Sequence, residues 1–161
     1  YKVKPKYIEI SEIIKINSKN TLIRILPDSN LSVTLSMSNN ITEDQCLSLN
    51  IDHDNYIKEI SSARTFTYIK ESDPRLKRLP PYGIGITRKG IYSYEPLRFK
   101  DEFIRHKILD LIGDLAILGG RIKAKIVGHN TSHKLNHRLV KEILRAVPKD
   151  INWKIHQANE L

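Results

Sequence analysis

The chain has 161 residues, which is enough for one domain or two small ones with a core that needs no cross-links. A single cysteine excludes a disulfide framework, and no uncharged apolar run approaches the roughly 18 residues of a transmembrane helix. The 27 Lys and Arg residues against 18 Asp and Glu give a formal charge of +9, which suits a polyanionic ligand. Because these charges are spread along the chain, without the signature of an RNA-binding sheet, we predict no nucleic-acid partner.

The first third of the chain alternates between apolar and polar residues, which predicts strands. Ser, Asn, Pro and Asp separate the runs, as expected for an antiparallel meander. We expect Cys46, inside the last run, to be buried. A short helix is predicted at 54–60, with Asp54 as its N-cap. The predicted strands lie at 7–10, 12–17, 21–26, 31–37 and 45–51.

Residues 67–97 contain prolines and glycines that prevent a long regular element. We therefore predict a variable insert or loop in this region. It includes PRLKRLPP at 74–81, the tightest basic cluster of the chain. A nucleic-acid binder would need such a cluster, whereas the simpler interpretation is a solvated loop.

The second half of the chain changes to a helical period. Gly119 and Gly120 end the first predicted helix, and Pro148 ends the second. Strands followed by grouped helices predict an α+β fold, a two-layer sandwich with a mainly antiparallel sheet and the two main helices packed on one face. The predicted elements are a helix at 101–118, a strand at 121–127 and a helix at 132–146.

The first long helix carries a polar stripe on the side that we predict to face away from the core. His106, Asp110 and Asp114 are four residues apart and therefore lie on one face of a helix. A His and an Asp at this spacing can both touch one divalent ion, and a catalytic zinc needs three such ligands. The competing interpretation is an ordinary solvated face.

The second long helix repeats the spacing with His133 and His137. We expect His137 to be a surface residue. His133 lies near the N-terminus of the helix, where the dipole would lower its pKa unless a carboxylate offset it. Asp114 is the candidate for that carboxylate.

Three segments, taken in order, resemble the UDP-3-O-acyl-N-acetylglucosamine deacetylase (LpxC) family, the zinc-dependent amidases of lipid A biosynthesis. They are SARTF at 62–66, LRFKDEFIRHKILDLIGDL at 97–115 and SHKLNHRL at 132–139. The resemblance covers nearly all of the chain but corresponds to the second of the family's two domains. Because the sequence also begins with Tyr1 rather than Met, we expect 1–161 to be a second domain whose first domain lies outside this sequence.

The resemblance implies a zinc cofactor and a histidine acid. His106 and Asp110 match two of the family's three zinc ligands. His133 matches the catalytic histidine, and Asp114 matches the carboxylate that orients it. The third ligand, a histidine, and the general-base glutamate belong to an HxxEH-like motif of the first domain, which this chain lacks. We therefore expect the isolated chain to bind zinc weakly and to be inactive.

The resemblance also implies residues that bind substrate, a UDP-3-O-acyl-N-acetylglucosamine. Lys107 matches a lysine that holds substrate near the metal, and Phe66 matches an aromatic residue that lines the site. Thr65 matches the threonine that stabilises the oxyanion. The expected location is the cytoplasm, or an organelle if the source is a plant or alga.

Two departures from the family pattern leave an alternative open. Ser132 stands where family members carry a glycine. Residues 67–97 are shorter than the family's acyl-chain passage and lack its Gly-Gly-Ser and Asn-Ala-Ile-Val runs. The alternative is a catalytically degenerate LpxC-like module with a binding or regulatory role. The presence of His106, Lys107, Asp110, Asp114 and His133 favours an active enzyme over this alternative.

Overall fold

The structure is a computed structural model that describes residues 6–146. Nine strands form two sheets, and two long helices cover one of them. The strands are β1 (Tyr7–Glu9), β2 (Ile14–Ser18), β3 (Thr21–Pro27), β4 (Ser32–Met37), β5 (Gln45–Asn50), β6 (Thr65–Tyr68), β7 (Gly83–Thr87), β8 (Gly90–Ser93) and β9 (Arg121–His129). The helices are α1 (His53–Asn55), α2 (Glu102–Leu115) and α3 (His133–Ala146). α1 continues as a π-helical turn at Tyr56–Ile60, and α2 continues as a 3-10 turn at Ala116–Leu118. A separate 3-10 turn spans Pro74–Arg78.

The main sheet has six strands in the order β2-β3-β9-β4-β5, with β1 paired to the start of β9. The predicted strands exist, but the predicted meander is wrong. β9 enters between β3 and β4, antiparallel to β3 and parallel to β4. Alternation of apolar and polar residues predicts that a segment is a strand, but it does not predict which strands pair with it. That pairing depends on long-range packing, because β9 joins the centre of the sheet only after the chain has passed through α2.

Both long helices pack on one face of the main sheet, which confirms the α+β prediction. α2 contacts β4 and β5, α3 contacts β2 and β3, and the two helices contact each other. Each fully buried aliphatic side chain in this layer contributes about 1.5–3 kcal/mol of transfer free energy. The layer contains Ile23, Ile25, Val33, Leu35, Ile104, Ile108, Leu111, Ile126, Leu139 and Ile143, all with no exposed surface.

Two glycines occupy positions that a residue with a side chain would fit poorly. Gly119 has φ 64° and ends the helical segment, as predicted. Gly128 lies where β9 passes close to its neighbours, because a Cβ there would stand 2.8 Å from Leu35 Cδ2 and 2.6 Å from Thr131 Cγ2. This close approach sets the path of the chain into α3.

Two local predictions are wrong. Asp52, not Asp54, caps α1, because its Oδ1 accepts a hydrogen bond of 2.7 Å from the Asn55 amide. Cys46 is exposed, since the alternation along β5 points Leu47 and Leu49 toward the core instead.

The region 67–97 is more regular than a loop. β6, β7 and β8 form a three-stranded sheet, in which Ile84 and Ile86 are buried. The glycines that suggested a loop instead make room for packing, since a Cβ on Gly85 would stand 3.0 Å from Leu76 Cδ2. Pro148 lies outside the described residues. Within residues 6–146, every helix is too short or too polar to cross a bilayer.

Candidate functional site

The candidate site lies where the polar stripe of α2 meets the N-terminus of α3. His106 Nε2 is 3.3 Å from Asp110 Oδ1, and His133 Nε2 is 3.8 Å from the other oxygen, Asp110 Oδ2. His133 Nδ1 is 2.8 Å from Asp114 Oδ2. Four residues singled out from the sequence therefore form one continuous chain of polar contacts across two helices.

The ring of His106 is oriented by the irregular segment that precedes β6. Its Nδ1 lies 3.2 Å from the carbonyl oxygen of Ala63. Because a carbonyl only accepts, Nδ1 carries a proton, and Nε2 is the nitrogen that faces Asp110. A backbone acceptor on the far nitrogen is the usual partner of a metal-binding histidine.

Asp114 is held by three donors rather than by solvent. It is 8% exposed, so the competing interpretation of a solvated face is wrong at this position. Asn136 Nδ2 donates to Oδ2 at 2.9 Å, His133 Nδ1 donates to the same oxygen, and His137 Nε2 lies 3.0 Å from Oδ1. Burial by itself would raise the pKa of Asp114, but these hydrogen bonds outweigh it and lower the pKa. The carboxylate is therefore ionised at neutral pH.

His133 is the first residue of α3, at the positive end of the helix dipole. The hydrogen bond to Asp114 nevertheless raises the pKa of His133, with burial opposing the shift and Asp110 adding to it. The expectation that Asp114 offsets the helix dipole is confirmed. His133 can therefore be a cation whose Nε2–H faces the side of Asp110.

Two neighbours of His133 were not predicted to belong to the site. His137 was expected to be a surface residue, and half of its side chain is exposed, yet its ring reaches Asp114. The spacing of four from His133 was the available signal. Asn136 is 1% exposed, and its Oδ1 has no partner among residues 6–146. The periodicity of apolar residues marks the buried face of a helix, so it does not predict that a polar residue such as Asn136 is buried there.

The same residues form a second group that could hold a metal. Asp114, His133 and His137 each offer one ligand atom, and these atoms lie within 4.8 Å of one another. The stripe of α2 therefore offers two placements for a cation, one at His106 and Asp110 and one at this group.

The expected substrate residues lie on the β6 side of the site. The Phe66 ring packs on Phe103, with ring centroids 5.0 Å apart, and its centroid lies 6.1 Å from that of His106. Lys107 Nζ lies 5.8 Å from the Phe66 ring centroid and donates 2.7 Å to the Thr131 carbonyl. Burial lowers the pKa of Lys107, with Asp110 opposing the shift. Thr65 is exposed at the start of β6, on the opposite side of the strand from Phe66.

A buried ion pair beneath the site was not predicted. Arg64 Nε is 2.8 Å from Glu102 Oε1, and the exposed fractions of the two side chains are 2% and 0%. Glu102 is the first residue of α2 and has no exposed surface. Arg64 also donates to the carbonyls of Glu95 and Pro96, 3.2 and 2.8 Å away. The pair thus joins the end of the insert, the start of β6 and the first turn of α2, one turn before His106.

The chain matches a known protein family over most of its length. The family model described as LpxC, UDP-3-O-acyl N-acetylglycosamine deacetylase, matches residues 1–145. The chain belongs to the LpxC family. The resemblance seen in the sequence is thereby confirmed.

Several LpxC relatives named UDP-3-O-acyl-N-acetylglucosamine deacetylase are similar to this chain. The protein of Campylobacter lari is 37% identical over 89% of this chain and 51% of its own length. That of Campylobacter jejuni is 35% identical over 87% of this chain and 50% of its own length. That of Chromobacterium violaceum is 31% identical over 88% of this chain and 50% of its own length. The chain therefore spans about half the length of the LpxC relatives that it matches.

Proposed function

We propose that this chain supplies one half of a zinc-dependent amidase that removes the N-acetyl group of UDP-3-O-acyl-N-acetylglucosamine and releases acetate. The arrangement that carries the proposal is His106 and Asp110 facing His133, with Asp114 behind it. In this proposal His106 and Asp110 are the metal ligands and His133, whose Nε2 lies 3.8 Å from Asp110 Oδ2, is the proton donor. The names of the relatives support the choice of substrate.

The donor atoms of His106 and Asp110 fit a zinc ion. Ligands bound at about 2.0–2.1 Å in a tetrahedron stand about 3.3 Å from each other. His106 Nε2 and Asp110 Oδ1 are 3.3 Å apart, with the His106 tautomer already fixed by Ala63. Zinc held there would polarise the acetyl carbonyl and make a water molecule more acidic.

The group of Asp114, His133 and His137 fits a hydrogen-bonded network better than a metal. The distances from Asp114 to the two rings, 2.8 and 3.0 Å, are those of direct N–H···O bonds. A metal would also require His133 to be neutral, whereas Asp114 favours its cation. We therefore place zinc at His106 and Asp110.

In this proposal His133 stabilises negative charge on the reacting group or donates a proton to it. Amide hydrolysis requires stabilisation of a tetrahedral oxyanion and a proton for the leaving amine. The Nε2–H of cationic His133 faces Asp110 and can serve either need, while Asp114 holds Nδ1 and remains a carboxylate. The role is that of an acid kept charged by a buried partner.

Lys107, Phe66 and Thr65 would contact the substrate. The ammonium of Lys107 is fixed by the Thr131 carbonyl beside the Phe66 ring, which suits a polar group of a nucleotide sugar next to an apolar wall. Thr65 is assigned to the oxyanion through the resemblance. Because it lies on the far side of β6 from Phe66, this role needs a turn of the strand end on binding.

The partner half is also part of the proposal. The two zinc ligands on this chain fall short of the three that catalytic sites use. A first domain encoded before Tyr1 would supply the third ligand and the general base, and this chain alone should be inactive. Cytoplasmic location stays a prediction.

Acetate release by the product of the complete gene, measured together with its zinc content, tests the proposal. His133→Ala should retain zinc and lose turnover by roughly two to four orders of magnitude. Asp110→Ala should lose zinc first. His129→Ala is the matched control, because this ring binds Ser36 and Ser38 at 2.9 and 3.3 Å instead of the site. Absence of turnover in the unsubstituted protein would favour the degenerate, non-catalytic module.

A further inference from the structure

Positive charge is concentrated in the insert. Residues 74–94 contain five Lys and Arg residues and no Asp or Glu, so this short segment carries more than half of the chain's formal charge of +9. Arg75 is paired with Asp73 at 2.7 Å. Within residues 6–146, the other four make no ion pair; they are Lys77, Arg78, Arg88 and Lys89, all of them exposed. Unpaired cations without carboxylates between them present a local anion-binding surface.

The same segment exposes tyrosine rings. Tyr94 is 78% exposed and Tyr82 is 66% exposed, more than any other large hydrophobic residue in the described part of the chain. Ile91 and Tyr92 are also exposed on β8. Tyrosine is enriched at surfaces where the ring meets an apolar medium and the hydroxyl meets water, and here the exposed rings lie in the same segment as the cations.

The pairing of the strands places this surface on the side away from the helices. Phe66 pairs with Ile84 and contacts Phe103 of α2, so that face of the small sheet is turned toward the domain. Gly85 lies on the opposite face and is covered by Leu76 of the 3-10 turn. Its cross-strand partner is Tyr92. The basic 3-10 turn and Tyr92 therefore lie on the outward side of the insert, and the turn that carries Arg88 and Lys89 joins the ends of β7 and β8 in the same small sheet.

We propose that the outward side of the insert, residues 74–94, docks on the surface of an anionic lipid bilayer. Tyrosine rings settle at the headgroup level of membranes, and clustered Lys and Arg bind anionic headgroups. In this proposal the contact is interfacial and reversible, since it uses side chains of turns and strands rather than a spanning helix. The choice of a membrane over a nucleic acid rests on the proposed function. The proposed substrate is acylated and would partition to a bilayer. Phe66, which is proposed to contact that substrate, lies on the other face of the same small sheet.

Vesicle co-sedimentation of the complete protein tests this docking, with no substrate present. Vesicles of phosphatidylcholine mixed with phosphatidylglycerol should bind the protein, and vesicles of phosphatidylcholine alone should not. Each cation at an anionic surface contributes roughly fivefold to binding. The double variant Arg88→Gln/Lys89→Gln should therefore bind about 25-fold more weakly. Both side chains are exposed in a turn, so the substitution leaves the fold intact.

The matched control is Lys15→Gln/Arg24→Gln, which removes two exposed cations from the cross-strand pair of β2 and β3. This control should bind as the parent does, whereas an equal loss would reduce the effect to net charge and overturn the proposal. Preferential binding to a single-stranded oligonucleotide would also overturn it. Deacetylation of a short-chain soluble substrate, assayed without vesicles, should be unchanged in both variants. Failure of docking and failure of the proposed activity are thus separate results.

Discussion

Glu102→Gln is predicted to destabilise the protein strongly although it changes a residue that touches no substrate. The Glu102 carboxylate accepts four hydrogen bonds of 2.7–3.0 Å, from the backbone N–H, Nε and Nη2 of Arg64 and from the Arg98 amide. Glutamine keeps the size but presents an amide NH₂ to some of these donors and leaves the guanidinium unpaired. Removing one partner of a buried ion pair costs about 3–5 kcal/mol.

Urea unfolding followed by far-ultraviolet circular dichroism measures this loss. The matched control is Glu95→Gln, whose carboxylate is 61% exposed and 3.9 Å from Arg98 Nη2. An exposed pair of this kind contributes about 0–1 kcal/mol. A loss below about 1 kcal/mol for Glu102→Gln would refute the reasoning.

The pH dependence of the same measurement has a definite sign. Burial raises the pKa of Glu102, but the hydrogen bonds from Arg64 and Arg98 outweigh it, and the pKa lies below the ordinary glutamate value of 4.5. Because the folded pKa is depressed, the stabilisation is complete above pH 4.5 and is lost as the pH falls through the folded pKa. The difference between the parent and Glu102→Gln should therefore shrink in acid, and a difference that is constant with pH would contradict the assigned cause.

Three further predictions concern the site in the complete enzyme. Lys107→Met should raise KM for the nucleotide sugar and cost about 1–3 kcal/mol of folding stability in urea unfolding, because the Thr131 carbonyl loses its donor. Asp114→Asn should move the alkaline limb of the pH–rate profile to lower pH, because the hydrogen bond to Asp114 is what raises the pKa of His133. His137→Leu should lower kcat about two- to tenfold at constant KM, with His137→Gln restoring it, since that ring donates to Asp114.

The sequence predicted the part of the site that follows helical spacing. Residues four apart on a helix must share a face, so the convergence of His106, Asp110 and Asp114 was available from the chain alone. The pairing of Asp114 with His133 was also anticipated, because a helix N-terminus needs a compensating carboxylate to keep a histidine charged. The strands and the layer of helices followed from the two periods of apolar residues.

Other features depend on contacts between distant segments. The Arg64–Glu102 pair looks like two surface charges in any local window, since burial of ions is decided by what packs over them. The insertion of β9 beside β4 likewise has no local signal, because any alternating strand fits an open edge equally well. Strands β7 and β8 of the small sheet were missed because glycines that admit close packing are indistinguishable in sequence from glycines that form turns.

The central claim is that His106 and Asp110 hold the catalytic metal beside His133. An anomalous difference map at the zinc edge, from crystals of the complete protein grown with zinc, tests it most directly. The main peak should lie about 2.0–2.1 Å from His106 Nε2 and from an oxygen of Asp110, with His133 adjacent but unligated. A main peak among Asp114, His133 and His137, or no peak on α2 at all, would contradict the claim.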